Sequence, residues 1–248
     1  MRSIVSVVTG GGKGIGLGIA EALVRRGASV AVTYRSDKDA AKRALHRLKS
    51  LTAQGQGVLL LQGDVGDPET VADHYQRVRE ELGPVTVLVN NAGIMPQRSM
   101  EALSVEDWEA TIRVNLSGAF FWCKQVVGDM KEARFGRIVN ISSIAARGGG
   151  VVGPHYAASK AGLLGLTRYA ARELAPYGIT VNAIAPAFIE DAGIFSDWSD
   201  HKKAELRKKV VVPRLGTVQD VVRAFEYLLD SPFVTGVTLD LNGGAFMI

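Results

Sequence analysis

The stretch Ile4-Val5-Ser6-Val7-Val8-Thr9-Gly10-Gly11-Gly12-Lys13-Gly14-Ile15-Gly16-Leu17-Gly18-Ile19-Ala20 decides the fold. Its first five residues are mostly β-branched and apolar, as a buried strand requires. From Gly14 to Arg26, apolar residues at Ile15, Ile19, Ala22 and Leu23 recur at helical spacing. Between strand and helix lies a turn crowded with glycine. Such a turn bends tightly and lets a phosphate approach the helix N-terminus, where free N–H groups and the helix dipole favour negative charge. Two better-known patterns fail here. A P-loop needs Gly at position 7 and Ser or Thr after its lysine, but Val7 and Gly14 stand there. The usual dinucleotide fingerprint needs glycines at n, n+2 and n+5, and no such triple exists. The spacing present is Gly10, Gly14, Gly16.

The same alternation continues outward. Strands are expected over Ser29–Tyr34, Val58–Gln62, Val85–Asn90, Arg137–Ser142, Thr180–Ile184 and Thr238–Leu241. Helices are expected over Ala40–Gln54, Pro68–Leu82, Ser104 to about Ala133, Tyr156–Tyr177 and Thr217–Asp230. Buried strands alternating with helices predict an α/β fold: a doubly wound parallel sheet of about seven strands with helices on both faces. No linker or compositional break divides residues 1–248, so one domain is expected.

Composition bounds the function. The chain has 248 residues, 47% hydrophobic and 22% charged, as ordinary globular proteins do. One cysteine excludes a disulfide framework and a multi-cysteine metal cluster. A net charge of +4 without a basic stripe or motif argues against nucleic acid as a partner. No run approaches the length of a membrane span, and no signal peptide is evident, so a reduced, cytoplasmic protein is expected. His46, His74, His155 and Cys123 lack ligand-like spacing; they are read as structural or surface residues and no metal is expected.

Tyr156 and Lys160 stand i,i+4 near the start of a helix and so share a face. A free tyrosine titrates at about 10, and a nearby ammonium is expected to lower that value until the phenol can exchange protons near neutral pH. Ser143 ends the fifth strand, on the carboxyl edge of the sheet where ligands bind. Gly63-Asp64-Val65 and Asn90-Asn91-Ala92-Gly93 end two others on the same edge. At the end of the second strand, Arg35 and Ser36 replace the acidic residue that would hold a ribose 2′-hydroxyl; with Lys13, Arg35 could hold a 2′-phosphate.

Taken together, TGGGKGIG at 9–16, DV at 64–65, NNAG at 90–93, Asn115 in RVNLSG, Ser143, YAASK at 156–160 and Asn182 through Pro186 resemble the short-chain dehydrogenase/reductase family over nearly the whole chain. The resemblance is greatest to the 3-oxoacyl-acyl-carrier-protein reductase branch. It implies NADP(H) in preference to NAD(H), with Gly10, Gly12, Lys13, Gly14, Ile15, Gly16, Arg35, Ser36, Asp64, Val65, Asn91, Ala92, Gly93, Pro186 and Ile189 at the cofactor, together with Tyr156 and Lys160. It implies a catalytic set of Asn115, Ser143, Tyr156 and Lys160. Tyr156 would be the general acid, Lys160 would tune it and bind the nicotinamide ribose, Ser143 would hold the substrate carbonyl, and Asn115 would hold a relay water. The implied substrate is a ketone, small or carrier-bound, and an acyl carrier protein is a possible partner. The alternatives are a dehydrogenase of a sugar, steroid or cyclic alcohol, and a non-catalytic dinucleotide binder. A homotetramer and a substrate lid at about 190–212 are also implied.

Three departures stand out. Ala187 replaces a usual glycine, and Asp191 a usual threonine whose hydroxyl meets the carboxamide. A carboxylate there would favour the oxidised nicotinamide, so the direction of reaction is open; Asp191→Thr is expected to tighten or preserve NADPH binding. Arg134 and Arg137 match positions that are often basic in the carrier-protein branch, but Tyr177 stands where a second basic residue is frequent. The basic run 201–209 reads either as a carrier-binding patch or as a solvated helix face.

Overall fold

A computed structural model gives the fold, and it describes residues 4–192 and 199–247. Seven strands form one parallel sheet: β1 Val5–Val8, β2 Ser29–Tyr34, β3 Val58–Gln62, β4 Val87–Asn90, β5 Gly136–Ile141, β6 Ile179–Pro186 and β7 Thr238–Leu241. Their order is β3-β2-β1-β4-β5-β6-β7. The order reverses between β1 and β4, and a crevice opens at the carboxyl ends of such a pair.

Helices α1 (Gly14–Arg25), α2 (Lys38–Lys49) and α9 (Val218–Asp230) cover one face. There Ile19, Leu23, Leu48, Phe225 and Leu228 pack on Val30, Val32 and Ile184. Helices α3 (Pro68–Glu81), α5 (Gly118–Ala133) and α7 (Pro154–Leu174) cover the other, where Val71, Val78, Trp122, Val126, Met130 and Leu174 pack on Val7, Leu88 and Ile138. Every second strand residue serves one face, so both faces need apolar residues. That is why VSVV, VLVN and SVAVTY read as runs rather than as alternation.

Most expected elements appear within two or three residues, but α2 ends at Lys49, five residues short of the expected Gln54. The expected helix from Ser104 to Ala133 is broken. It runs as α4 (Val105–Ile112), a π-helical turn at Arg113–Ser117, and then α5. A short helix, α6 (Ala145–Gly148), follows β5, and α8 (Asp200–Arg207) lies in the region read as a lid.

Several caps follow from sequence. Asp67 and Ser104 accept backbone N–H bonds at the starts of α3 and α4, and Pro68 opens α3 where its missing N–H costs nothing. Thr217 and Asp220 form a capping box at α9, tightened by Arg214 on Asp220 at 2.6 Å. Helix α1 differs: no side chain caps it and its first turn holds no acid.

Candidate active site

That uncapped end of α1 faces a cleft of about 970 Å³ along the carboxyl edge of the sheet. Gly10, Gly12, Lys13, Gly14 and Ile15 line one end, with Arg35, Ser36, Asp37, Asp64 and Val65. Asn91, Ala92 and Gly93 lie midway, and Ser143, Tyr156, Lys160, Pro186 and Ile189 also line it. Of the residues read from sequence for this site, Gly16 and Asn115 sit just behind the wall.

Gly10 and Gly14 have φ of +63° and +53°, the left-handed region that favours glycine. Gly16 serves space instead: a Cβ there would lie 2.5 Å from Gly10 O and from Asn91 Nδ2. Asn91 turns its amide onto this turn, donating to Thr9 O at 2.9 Å and Gly10 O at 3.1 Å. Its side chain therefore shapes the cradle.

Lys13 and Arg35 both line the cleft, but Lys13 is engaged. Its ammonium lies 3.0 Å from Asp37, the N-cap of α2, and it holds that carboxyl below its ordinary range. Asp64 bonds Gly66 N at 2.8 Å and Arg113 at 3.3 Å, which fixes the loop after β3. Gly118 lets the start of α5 approach this loop: a Cβ would sit 2.8 Å from Val65 O.

The π turn presents Asn115, which is 2% exposed. Its amide accepts from Ile94 N at 2.7 Å and donates to Ile94 O at 2.9 Å and Ser159 Oγ at 3.1 Å. It thereby ties the loop after β4 to α7. No residue type in RVNLSG announces a π turn, although such turns recur at functional sites.

Lys160 donates to Ile141 O at 2.8 Å, and Ser142 Oγ donates to Lys160 O at 2.9 Å, so β5 and α7 are pinned together at the site. Burial pulls Lys160 down to about 8, because its charge has lost water. Its ammonium lies 5.7 Å from the Tyr156 ring centroid. Tyr156 departs from expectation. Burial raises its pKa, against which a Ser143 hydrogen bond pulls only partly. The lowering expected from the ammonium does not decide the shift; the desolvation of the phenolate does. Tyr156 is thus held protonated at neutral pH, which suits proton donation.

Beneath these groups a buried chain runs from Asn90 Nδ2 to Asn140 Oδ1 at 2.9 Å and from Asn140 Nδ2 to Thr167 Oγ1 at 2.8 Å. It joins β4, β5 and α7 under the site.

The departures resolve differently. Asp191 lines the cleft, but its carboxylate accepts from Val218 N at 2.8 Å and fixes the start of α9. Arg137 is buried, with its guanidinium on Leu229 O, Gly136 O and Gly178 O. This overturns its reading as a carrier-facing cation: it satisfies carbonyls at the amino end of β5, away from the cleft. Arg134 is exposed at the end of α5 and bonds Pro176 O, while Tyr177 lies under the Lys131 ammonium at 4.6 Å. Phe195 and Trp198, in the region expected to form a lid, lie outside the described residues. Trp122 is buried in the core and His155 bonds Pro96 O at 3.0 Å. Among the described residues no three His, Cys, Asp or Glu side chains cluster to hold a metal ion, and no helix is long and apolar enough to cross a membrane.

Comparison with known proteins agrees with this fold. The short chain dehydrogenase family model matches residues 4–203. The chain is a short-chain dehydrogenase. Among curated relatives, the 3-oxoacyl-[acyl-carrier-protein] reductase FabG of Escherichia coli strain K12 is 38% identical over 246 residues, 98% of each chain. The acetoacetyl-CoA reductase of Shinella zoogloeoides is 37% identical over 248 residues, 99% of this chain and all of that one. The FabG of Staphylococcus aureus strain Mu50 is 35% identical over 244 residues, 98% of each chain. As a short-chain dehydrogenase, the protein is an NAD(P)H-dependent oxidoreductase acting on CH–OH and C=O groups. An open helix N-terminus and a glycine cradle fit the pyrophosphate of a dinucleotide.

Proposed function

We propose that the protein reduces 3-oxoacyl thioesters with NADPH. The observation that carries this reading is Tyr156, held as a phenol beside Ser143 and Lys160 in a cleft whose other end is a dinucleotide cradle. The names of its relatives support the thioester, and Arg35 with Lys13 supports the 2′-phosphate.

When bound, NADPH supplies the hydride that reduces the carbonyl carbon. The chain does the rest. Ser143 orients the carbonyl oxygen by hydrogen bonding, and Tyr156 gives that oxygen its proton. Lys160 places positive charge behind the phenol, so the phenolate left after proton transfer is favoured over one in an apolar site. Asn115 holds the Ile94 backbone and Ser159, which keeps Lys160's surroundings fixed.

The basic run 201–209 supports docking of an acidic carrier protein: His201 on α8 and Lys208 and Lys209 just after it are exposed. Exposed Phe120 on α5 and Tyr169 on α7 support a homotetramer built through these helices. Analytical ultracentrifugation of Phe120→Lys tests the assembly; an unchanged sedimentation coefficient would remove that face from it.

The decisive experiment is Tyr156→Phe, assayed by NADPH oxidation over acetoacetyl thioesters, simple ketones, quinones and sugars. Turnover of the thioester by the unaltered enzyme is expected, with at least about a hundredfold loss in the variant and unchanged NADPH affinity. Retained kcat in Tyr156→Phe would overturn the mechanism, and preference for a sugar would overturn the substrate.

A further inference from the structure

Residues 245 and 246, after β7, form part of the cleft. Ala245 and Phe246 line it together with Gly148, Gly150, Val151 and Val152, in the segment between Ser143 and Tyr156. This is the end away from Lys13, Arg35 and Asp64. The Phe246 ring lies against α6 at Gly148, where an added Cβ would stand 3.5 Å from Cδ2 and 3.6 Å from Cε2.

The ring is held there by a built turn. Asn242, 8% exposed, donates its amide to Phe246 O at 2.7 Å and accepts from Gly244 N at 2.9 Å. Ala245 N closes the turn on Asn242 O at 3.0 Å. Gly243 and Gly244 have φ of +60° and +82°, so the turn needs residues free of a Cβ. Two further links hold this turn in place. Arg147 of α6 bonds Asp240 of β7 through two nitrogens, at 3.2 and 3.0 Å, and both side chains are less than one-fifth exposed. Gly243 O accepts from Val211 N at 2.8 Å and Val212 N at 3.0 Å, so the segment after α8 leans on the same turn.

We propose that Phe246, positioned by Asn242, is the wall that limits the length of the carbon chain accepted beside Tyr156. The turn fixes where the Phe246 side chain leaves the backbone, and the ring rests against Gly148, so a long chain must displace it. Truncating the ring opens the far end of the cleft. Enlarging Gly148, whose φ is compatible with any residue, presses on the ring from the opposite side and closes it further. The choice of thioesters as probes rests on the proposed function; the wall itself acts on any ketone.

The test uses the full-length enzyme with two ladders, 3-oxoacyl-CoA thioesters from four to twelve carbons and 2-alkanones over the same range. Wild type, Phe246→Ala, Phe246→Leu and Gly148→Val are compared by kcat/KM, with melting temperature and NADPH affinity recorded for each. Phe246→Ala is expected to raise the long-to-short ratio about tenfold, since a few methylenes in a tight apolar site decide factors of this size. Phe246→Leu should raise it less, and Gly148→Val should lower it. A ratio changed less than twofold in a folded Phe246→Ala or Phe246→Leu that binds NADPH normally would overturn the wall. A wild type that reduces alkanones and no thioester would overturn the substrate reading instead, while the alkanone ladder still judges Phe246.

Discussion

Two glycines four residues apart should respond very differently to the same added methyl group. At Gly16 a Cβ would lie 2.5 Å from Gly10 O and from Asn91 Nδ2, and 3.0 Å from Gly11 Cα, closer than real Cβ atoms approach. Two of those three neighbours are backbone, so the turn or the helix must move, and Asn91 loses its grip on Thr9 O and Gly10 O. Overpacking and the weakened hydrogen bonds together cost about 2–4 kcal/mol, of which alanine's better helix propensity offsets up to about 1 kcal/mol. The net loss of about 1–3 kcal/mol lowers the melting temperature by about 3–10 °C in a chain of this size. At Gly12 the nearest atoms are Ala41 Cα at 3.6 Å and Ala41 Cβ at 3.7 Å, ordinary contact distances. Gly12→Ala should therefore melt within about 2 °C of wild type. Differential scanning calorimetry reads the stability, and a fluorescence titration with NADPH reads the cradle. Gly16→Ala should also bind NADPH more weakly. If it melted with wild type, or if Gly12→Ala melted as low as Gly16→Ala, close backbone approach would not explain the motif's spacing.

Two other outcomes follow from the charges at the site. Lys160 titrates near 8 in the folded chain and near 10.5 when unfolded, so between these values the unfolded state binds more protons and stability rises with pH. Between pH 8 and 10 wild type should gain about 2–3 kcal/mol relative to Lys160→Met; parallel denaturation midpoints across that range would refute this. Asp37→Asn keeps the cap on α2 and frees Lys13, so NADPH affinity should rise a few-fold while NADH affinity stays level. Equal changes for both cofactors in calorimetric titrations would show that Lys13 does not meet the 2′-phosphate.

The glycine turn, the strands and the tyrosine–lysine pair were legible because each is written in contiguous residues. What stayed hidden depends on residues far apart in sequence. The pairing of Asp191 with Val218 and the burial of Arg137 against Leu229 are set by how α9 docks on the sheet, which no local pattern records. The direction of the Tyr156 shift was missed for a related reason. Spacing reveals the neighbouring charge, whereas the opposing cost of burial depends on the whole fold.

The π turn at Arg113–Ser117 carries a consequence for insertions and deletions. A π turn accommodates one residue more than the α-helical ladder around it. Because each residue turns an α-helix by about 100°, removing one would rephase α4 against α5. Either Trp122, Val126 and Met130 would leave the core, or the Asn115 amide would swing off Ile94. Core and site therefore read the same helix in two different frames, and the odd residue between them keeps the frames compatible. Length in this segment is constrained more tightly than identity: a substitution at Leu116 acts locally, where its side chain meets Gly162, whereas a single deletion forces the protein to choose between its interior and its chemistry.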